Sequence, residues 1–383
     1  MIEPATEAEL TEAVSAATRP LSIKGGGTRG ILGPDESDVL STRGLSGITL
    51  YEPGALTIVA GAGTPMSEIE EALASEGQML PFEPMDHRGL LETDGTPTLG
   101  GVTAANVSGP RRLRAGACRD SLIGVRFVDG SGEILKNGGR VMKNVTGYDL
   151  VKLMAGSYGT LGVLSEVSFK LLPKVDAVGT ISLQGLSPSA GVAAMSAALA
   201  SPFEVSGAAM TDVTSEGQSR VHLRLEGFET SVRYRAEKLQ KTLAKYGESN
   251  LTLEDADVWT AVRDVHAFAA KPNVWRASIK GGDAPALLEA LGDVAEFEAM
   301  FDWGGGLVWL ATDSVEDEAE VFHKGLQSEV ARIGGHAMLV KAPASLKRRV
   351  PVFQPENPAL QTLAKGLRNQ FDPRGILNTG VMG

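Results

Sequence analysis

The chain has 383 residues, 43% of them hydrophobic, enough to bury a large core and more in keeping with two domains than with one. A formal charge of −11 opposes general nucleic-acid binding, which needs a basic surface to displace counterions. The single cysteine, Cys118, excludes an intramolecular disulfide framework and suits a reducing compartment, and no apolar run approaches the roughly 20 residues needed to cross a bilayer.

The first segment, Met1–Ala17, is acidic and helical in pattern, without the basic start and apolar middle of a signal peptide, so the expected location is cytoplasmic. A short strand pattern at Leu21–Lys24 then feeds the run GGGTRGILG, in which Gly25, Gly27 and Gly30 spell G-x-G-x-x-G. A nicotinamide-type loop must open a helix whose N-terminus meets the phosphates. Gly33 and Pro34 interrupt any such helix before its second turn, which weakens that reading and leaves a dinucleotide as ligand. The backbone N–H groups of Gly25–Arg29 can instead form an anion-binding nest, with the Thr28 hydroxyl and the Arg29 guanidinium beside it.

Strands are expected at Ile48–Tyr51 and Leu56–Gly61, followed by a helix from Pro65 to Ser75. Thr64 can cap that helix, Met66, Ile69 and Leu73 form its apolar stripe, and Gly77 sits just past its end. The small-residue run Thr98–Gly109 would let a flat or extended ligand lie against main chain. A hairpin follows, with Val125, Phe127 and Ile134 in strands around Asp129–Gly132. A third small-residue run, Gly156–Gly162, leads into a strand over Val163–Leu171 that stops at Pro173. A loop-rich fold without a ligand is the plainer alternative, but glycines gathered in three runs point to a large ligand held mostly by backbone.

Beyond Pro173 the elements expected are strand Thr180–Leu183, helix Ser189–Ala200, strands Val205–Met210 and Arg220–Glu226, helix Ser231–Tyr246 and strand Leu251–Leu253. The same β-α-β-β-α-β order recurs over Val274–Ile279, Ala284–Leu291, Phe297–Asp302, Leu307–Ala311, Val315–Ile333 and Ala337–Lys341. That order suggests a duplicated ferredoxin-like domain, one antiparallel sheet backed by helices. Asp255, Asp257 and Asp264 around Trp259 have the look of a solvated helix face.

Taken in order, KGGGTRG (Lys24–Gly30), GTPTLGGVTAANVSGPRRLRAGACRD (Gly95–Asp120), VMKNVTGYD (Val141–Asp149), GSYGTLGVLSEVSFKLLP (Gly156–Pro173) and FDPRGILNTG (Phe371–Gly380) resemble the vanillyl-alcohol-oxidase, or PCMH-type, family of FAD proteins. LPFEP (Leu80–Pro84), SGPRR and VMKNVTGYD more closely resemble the FAD-binding E-subunit family of bacterial glycolate oxidases. The resemblance implies an α+β fold: a PCMH-type two-subdomain FAD-binding domain over 1–174, a cap domain with the duplicated antiparallel sheet over 175–342, and a C-terminal segment, 343–383, returning to the FAD site. It further implies that Lys24, Gly25, Gly26, Gly27, Thr28, Arg29 and Gly30 wrap the pyrophosphate, and that Thr98, Gly100, Gly101, Ser108 and Gly109 line the flavin and ribityl chain. Asp120 would lie near the nucleotide, Gly162 and Val163 would touch the cofactor through main chain, and Asn378 would return to the flavin. A turn or cap residue is the alternative for Asp120, and a left-handed turn residue for Asn378.

The departures from the wider family are as informative. None of the five histidines, His87, His222, His266, His323 and His336, lies in a glycine motif, and Cys118 has no recognised attachment context, so non-covalent FAD is expected. Related hydroxy-acid dehydrogenases carry a histidine-rich metal signature; here Gly334–Met338 offers His336 alone, so no metal site is expected and His336 reads as a strand residue. Arg111, Arg112, Arg114, Lys143 and Tyr148 remain as candidates for substrate chemistry, with surface ion pairing as the commoner fate of such arginines.

By resemblance, the chain would help a complex oxidise glycolate, a small 2-hydroxy acid, to glyoxylate. A homologous flavin subunit would carry the fuller site, and an iron–sulfur subunit would pass electrons to a membrane quinone, with attachment to the inner membrane through the complex. One cysteine cannot itself ligate a four-thiolate cluster. A self-sufficient FAD-dependent 2-hydroxy-acid or alcohol oxidase, and a non-catalytic scaffold subunit, stand as alternatives.

Overall fold

The structure, a computed structural model, describes residues 1–30, 36–139, 148–213, 219–253 and 256–382. The chain divides into two compact units: Met1–Gly109, Gly116–Lys174 and Glu356–Gly383 form the first, and Pro110–Ala115 with Val175–Pro355 the second.

The first unit opens with helix Glu7–Ala16, capped by the Thr6 hydroxyl, which accepts the Glu9 N–H at 3.2 Å. Its Leu10 and Val14, one turn apart, are buried against Leu21, Leu40 and Val128. Strands β1 (Leu21–Lys24) and β2 (Asp38–Ser41) pair in parallel. They are followed by β3 (Ile48–Glu52), β4 (Thr57–Gly61), β5 (Gln78–Met79), β6 (Leu122–Val128), β7 (Ile134–Gly138), β8 (Val163–Lys170) and β9 (Leu172–Pro173). The main sheet is antiparallel in the order β3-β4-β8-β6-β7, while β5 and β9 pair separately. Phe82, Phe127 and Phe169 are fully buried on it, and the rings of Phe82 and Phe169 lie 5.3 Å apart.

The expected hairpin forms between β6 and β7, its turn held by the Asp129 carboxylate, which accepts the N–H groups of Ser131 and Glu133 at 2.9 Å each. The expected helix forms as Met66–Ser75 with Met66, Ile69 and Leu73 buried, but its cap differs. Pro65 occupies the cap position, while the Thr64 hydroxyl donates to Gly61 O (2.7 Å) and accepts the Gly47 N–H (2.9 Å), so it ties loops together. Leu56 is not in β4; it ends a 3₁₀ turn at φ 51°, and the strand begins at Thr57.

The chain's last segment is laced into the first. After helix Pro358–Phe371, the Arg374 guanidinium donates to Val14 O (3.0 Å), Ser15 O (3.3 Å) and Ala17 O, carbonyls at the end of the first helix. Leu21 N–H bonds Ile376 O at 2.7 Å, which sets the tail beside β1.

The second unit contains β10 (Ala177–Gln184), helix Pro188–Leu199, β11 (Gly207–Val213), β12 (Arg220–Gly227), helix Glu229–Leu243 and β13 (Ser249–Leu253). After helix Ala256–Arg263 come β14 (Asn273–Ser278), helix Ala284–Gly292, β15 (Glu298–Asp302), β16 (Leu307–Thr312), helix Glu316–Ile333 and β17 (His336–Lys341). All eight strands join one antiparallel sheet in the order β13-β10-β12-β11-β15-β16-β14-β17. Each half therefore has the fourth-first-third-second order of a ferredoxin-like unit, and the halves meet through their second strands, β11 and β15.

Asp257 is the exposed member of the acidic set around Trp259. Asp264 is buried and takes a two-pronged bond from Arg263 at 2.8 and 2.7 Å, which corrects its reading as a solvated residue, and Asp255 lies outside the described residues.

His323 is buried in helix Glu316–Ile333, its Nδ1 accepting the Trp275 indole N–H at 3.2 Å. Burial lowers its pKa from the ordinary 6.5 to about 4. Below pH 6.5 the unfolded chain takes up a proton that the folded one refuses, so stability falls as pH drops from 6.5 toward 4. Between pH 7 and pH 5 this amounts to about 2 kcal/mol. A His323→Leu variant is expected to melt lower at pH 7, because Trp275 loses its acceptor, yet to lose less of its melting temperature on going to pH 5. An unchanged slope in thermal scans at the two pH values refutes the assignment.

Candidate cofactor site

A cleft in the first unit, with about 1060 Å³ of empty space including its opening to solvent, is walled chiefly by main chain. The glycine run leaves β1 and is pressed against the segment Gly95–Thr98. A Cβ on Gly26 would lie 1.4 Å from Thr96 O, and one on Gly25 2.5 Å from the Thr98 hydroxyl, so only glycine permits this approach. Thr96 N–H bonds Gly26 O at 3.1 Å across the contact. Gly27, at φ 77°, then turns the chain where a Cβ would meet nothing within 4 Å.

The second wall is helix Leu99–Ala104, which Thr98 caps by accepting the Gly101 N–H at 3.3 Å. The third comes from Tyr158, at φ 52°, with Gly159 and Gly162. Asn378 closes the set: its Oδ1 accepts the Ile23 N–H and its Nδ2 donates to Tyr158 O, both at 2.7 Å.

Arg29 is the chemically pointed member of this lining. Its Nη1 donates to Gly101 O at 2.6 Å, its Nε is buried with no partner, and it pairs with no carboxylate among the described residues. Desolvation presses its pKa down, but a guanidinium keeps its proton, so a half-buried cation with an unused donor fits an anionic group entering the cleft.

Among the residues singled out from the sequence, Lys24, Gly25, Gly26, Gly27, Thr28, Arg29, Gly30, Thr98, Gly100, Gly101, Gly162 and Asn378 all line this cleft. Ser108, Gly109, Asp120 and Val163 are not among its lining residues. The Ser108 hydroxyl accepts the Cys118 N–H at 2.9 Å, and Gly109 N–H bonds Phe82 O at 2.8 Å. Asp120 accepts the Ala117 N–H at 2.8 Å, and Val163 is fully buried in the core with Leu10 and Val14. The cleft also uses residues that the sequence did not single out for the ligand, including Thr42, Ala62 and Tyr158. Tyr158 sits inside the Gly156–Gly162 run and could have been found there; Thr42 and Ala62 are small residues at strand ends with no local signal.

The candidates for substrate chemistry divide differently. Arg111 grips Glu226 with Nε at 3.1 Å and Nη2 at 2.6 Å, and both side chains are nearly buried. Burial alone would raise the pKa of Glu226, but the Arg111 hydrogen bonds and the charges of Arg224 and Arg111 outweigh it and bring it down to about 2. Arg111 is therefore an ion-pair residue within the second unit. Arg112 stacks 4.4 Å over the Trp303 ring, which Arg276 also approaches at 5.4 Å, and Arg114 pairs with Glu204. Tyr148 is 90% exposed, and Lys143 lies outside the described residues. Burial pushes the Cys118 thiol well up, which keeps it protonated and inert. His336 opens β17, as expected of a strand residue, and no three His, Cys, Asp or Glu side chains converge among the described residues.

The first 138 residues match the family described as FAD binding domain. Among solved structures, the 4-ethylphenol oxidase from Gulosibacter chungangensis superposes with a TM-score of 0.75 over 100% of this chain and 88% of that one at 15% identity, a likeness of fold. Fold and site together define an FAD-dependent oxidoreductase of the PCMH type. The chain is 35% identical to the glycolate oxidase subunit GlcE of Escherichia coli (strain K12), over 98% of its own length and 95% of that protein's. It belongs to the GlcE family of glycolate oxidase subunits. It is also 33% identical to the glycolate oxidase subunit GlcD of Bacillus subtilis (strain 168), over 42% of this chain and 34% of that one.

Two substitutions separate the two kinds of arginine. Arg29→Met is expected to lower flavin bound per purified chain by about tenfold, since it removes a charge-assisted donor from the cleft. Arg111→Ala should leave flavin content unchanged while lowering stability by about 3 kcal/mol in urea unfolding, because Glu226 stays buried without its main partner. Loss of flavin from Arg111→Ala, or full retention by Arg29→Met, contradicts the division.

Proposed function

We propose that this chain is the FAD-holding E-type member of a complex that oxidises glycolate to glyoxylate. The observation that carries the reading is its relationship, nearly end to end, with a protein named as a glycolate oxidase subunit. The partner most directly suggested is a homologous flavin subunit, since part of this chain also matches GlcD. An iron–sulfur subunit would receive the electrons and pass them to an acceptor such as quinone.

Lys24–Gly30 would hold the pyrophosphate through backbone N–H groups, with Arg29 supplying the cation. Thr98, Gly100 and Gly101 would face the flavin and ribityl chain, and Gly162 and Asn378 would complete the wall. Ser108, Gly109, Asp120 and Val163 would hold that wall in place from behind. When bound, FAD supplies a two-electron acceptor of the kind an alcohol-to-carbonyl oxidation requires. The FAD would be held non-covalently.

Among the described residues no helix is long and apolar enough to cross a membrane. On the functional reading above, the chain would work in the cytoplasm, with any hold on the inner membrane supplied by its partners. The engagement of Arg111 with Glu226 favours a chain that leaves the main hydroxy-acid chemistry to its homologue.

Anaerobic mixing with glycolate tests the reading. The flavin of the isolated chain is expected to bleach at least about a hundredfold more slowly than that of the assembled complex, a barrier difference of roughly 3 kcal/mol. Equally fast bleaching by the isolated chain would establish a self-sufficient oxidase instead.

A further inference from the structure

Trp303 is the meeting point of two guanidinium groups carried by different elements of the second unit. Arg112, from the short excursion Pro110–Ala115, lies 4.4 Å over its ring, and Arg276, from β14, lies 5.4 Å from the same centroid. The grip on Trp303 accounts for Arg112. It does not account for Arg276, which β14 already places through its pairing with β16 and β17 on either side. Two like charges are therefore gathered on one indole against their mutual repulsion. Trp303 itself stands at φ 53°, a left-handed conformation that a bulky residue adopts only under constraint. The turn behind it supplies that constraint: Gly304 and Gly305 follow at φ 66° and 94°, and a Cβ on Gly305 would lie 2.7 Å from Gly281 O. Backbone strain of this kind gathers where ligands are clamped.

The neighbouring face of the sheet adds a third group. Ala277 and Ala337 pair across β14 and β17 and face the helices, so the pairs Arg276–Met338 and Ser278–His336 lie on the other face. His336 keeps an exposed edge there, while partial desolvation and then the charges of Arg276 and Arg112 lower its pKa. It meets the two cations as a neutral imidazole with one N–H to donate. Asp302, buried at the start of the turn, spends Oδ1 on the Trp303 N–H at 2.7 Å. Counted fully against the two guanidiniums, its carboxylate still leaves one positive charge. Both arginines have further interactions, but each carries five N–H donors, so an anion can be bound without emptying the rest.

We propose that Arg112, Arg276 and His336 form a seat for the carboxylate of a small 2-hydroxy or 2-oxo acid. This rests on the functional reading above, in which the complex takes one such acid and releases the other. The indole fixes the planes of the guanidiniums and leaves their N–H edges for flat, two-pronged bonds, a geometry that suits a carboxylate. His336 adds a donor for the carboxylate or for the neighbouring oxygen of the acid. Binding at this seat is independent of which subunit's flavin takes the electrons.

The test titrates the full, flavin-loaded chain with glycolate and with glyoxylate, followed by calorimetry and by tryptophan fluorescence. Wild type is expected to bind at least one of them with a Kd of about 1 mM or below. Arg112→Met and Arg276→Met should each weaken that binding by about tenfold or more, with flavin content and melting temperature retained. His336→Gln should weaken it by about threefold. Glycolamide, which has the shape without the charge, should not bind. Unchanged affinity in both arginine variants, equal binding of glycolamide, or tighter binding of inorganic phosphate overturns the inference. Should an arginine variant fail to fold, His336→Gln replaces it, and unchanged affinity there is equally decisive. An assembled complex that oxidises glycolate, alongside an isolated chain that binds neither acid, overturns the inference and spares the functional reading. A complex inert toward glycolate overturns that reading, and this inference with it.

Discussion

The first unit depends on one side chain more than on any other. Asn378 sits at φ 41°, in the left-handed region that asparagine tolerates, and its amide faces both ways. It accepts from Ile23 at the mouth of the glycine run, donates to Tyr158 in the third wall, and bonds Leu21 O through its own N–H at 3.0 Å. At about 1 kcal/mol each these bonds are modest, but they join three segments distant in the chain at the edge of the cleft. Aspartate would lose the donor and leucine both functions.

That clasp matters because the cleft is made of backbone. Glycine runs cost more conformational entropy to order than any other sequence, about 0.5–1 kcal/mol per residue relative to alanine. The close seating of Gly26 on Thr96 shows what the cost secures, namely a backbone-walled surface of ligand size with few side chains in the way. Side chains enter sparingly: Thr98 fixes a helix start, Arg29 supplies charge, and Asn378 holds the edge. Any ligand bound only by the folded state adds its own stabilisation, so such a site is stiffest when filled.

Much of this was legible in the sequence, and the reasons are local. The glycine runs, the Asp129–Gly132 turn and the apolar stripe of Met66–Ser75 are each encoded within a few residues, so pattern and conformation coincide. The two ferredoxin-like halves could be ordered from alternation alone, although nothing in the sequence shows that β11 and β15 join them. What escaped was set by burial and by which of several available groups each side chain meets. Thr64 looked like a helix cap because capping and loop-tying need the same hydroxyl, and only the position of Gly47 decides between them. Asp264 looked solvated because it shares a short segment with Asp255 and Asp257, whereas burial and the adjacent Arg263 determine its state. Ser108 and Asp120, near the glycine runs in sequence, accept the Cys118 and Ala117 backbone N–H groups, which for Asp120 is the cap role weighed as its alternative.

The arginine-rich motif shows how a family resemblance and a physical role can be separated. Pro110–Ala115 belongs to the second unit although first-unit residues flank it on both sides. Within six residues, Arg111 takes Glu226, Arg112 covers Trp303 and Arg114 takes Glu204. Glu226 shares its buried position with Arg224, 3.8 Å away, which itself lies 4.6 Å over the Trp259 ring. Two guanidinium groups around one carboxylate account for the low pKa of Glu226 despite its burial. A lysine could supply the charge at position 111 but not the planar two-pronged grip. The motif is thus explained by the need to fasten a short excursion of the chain to a unit it does not adjoin in sequence, and a substrate carboxylate is not required to account for its arginines.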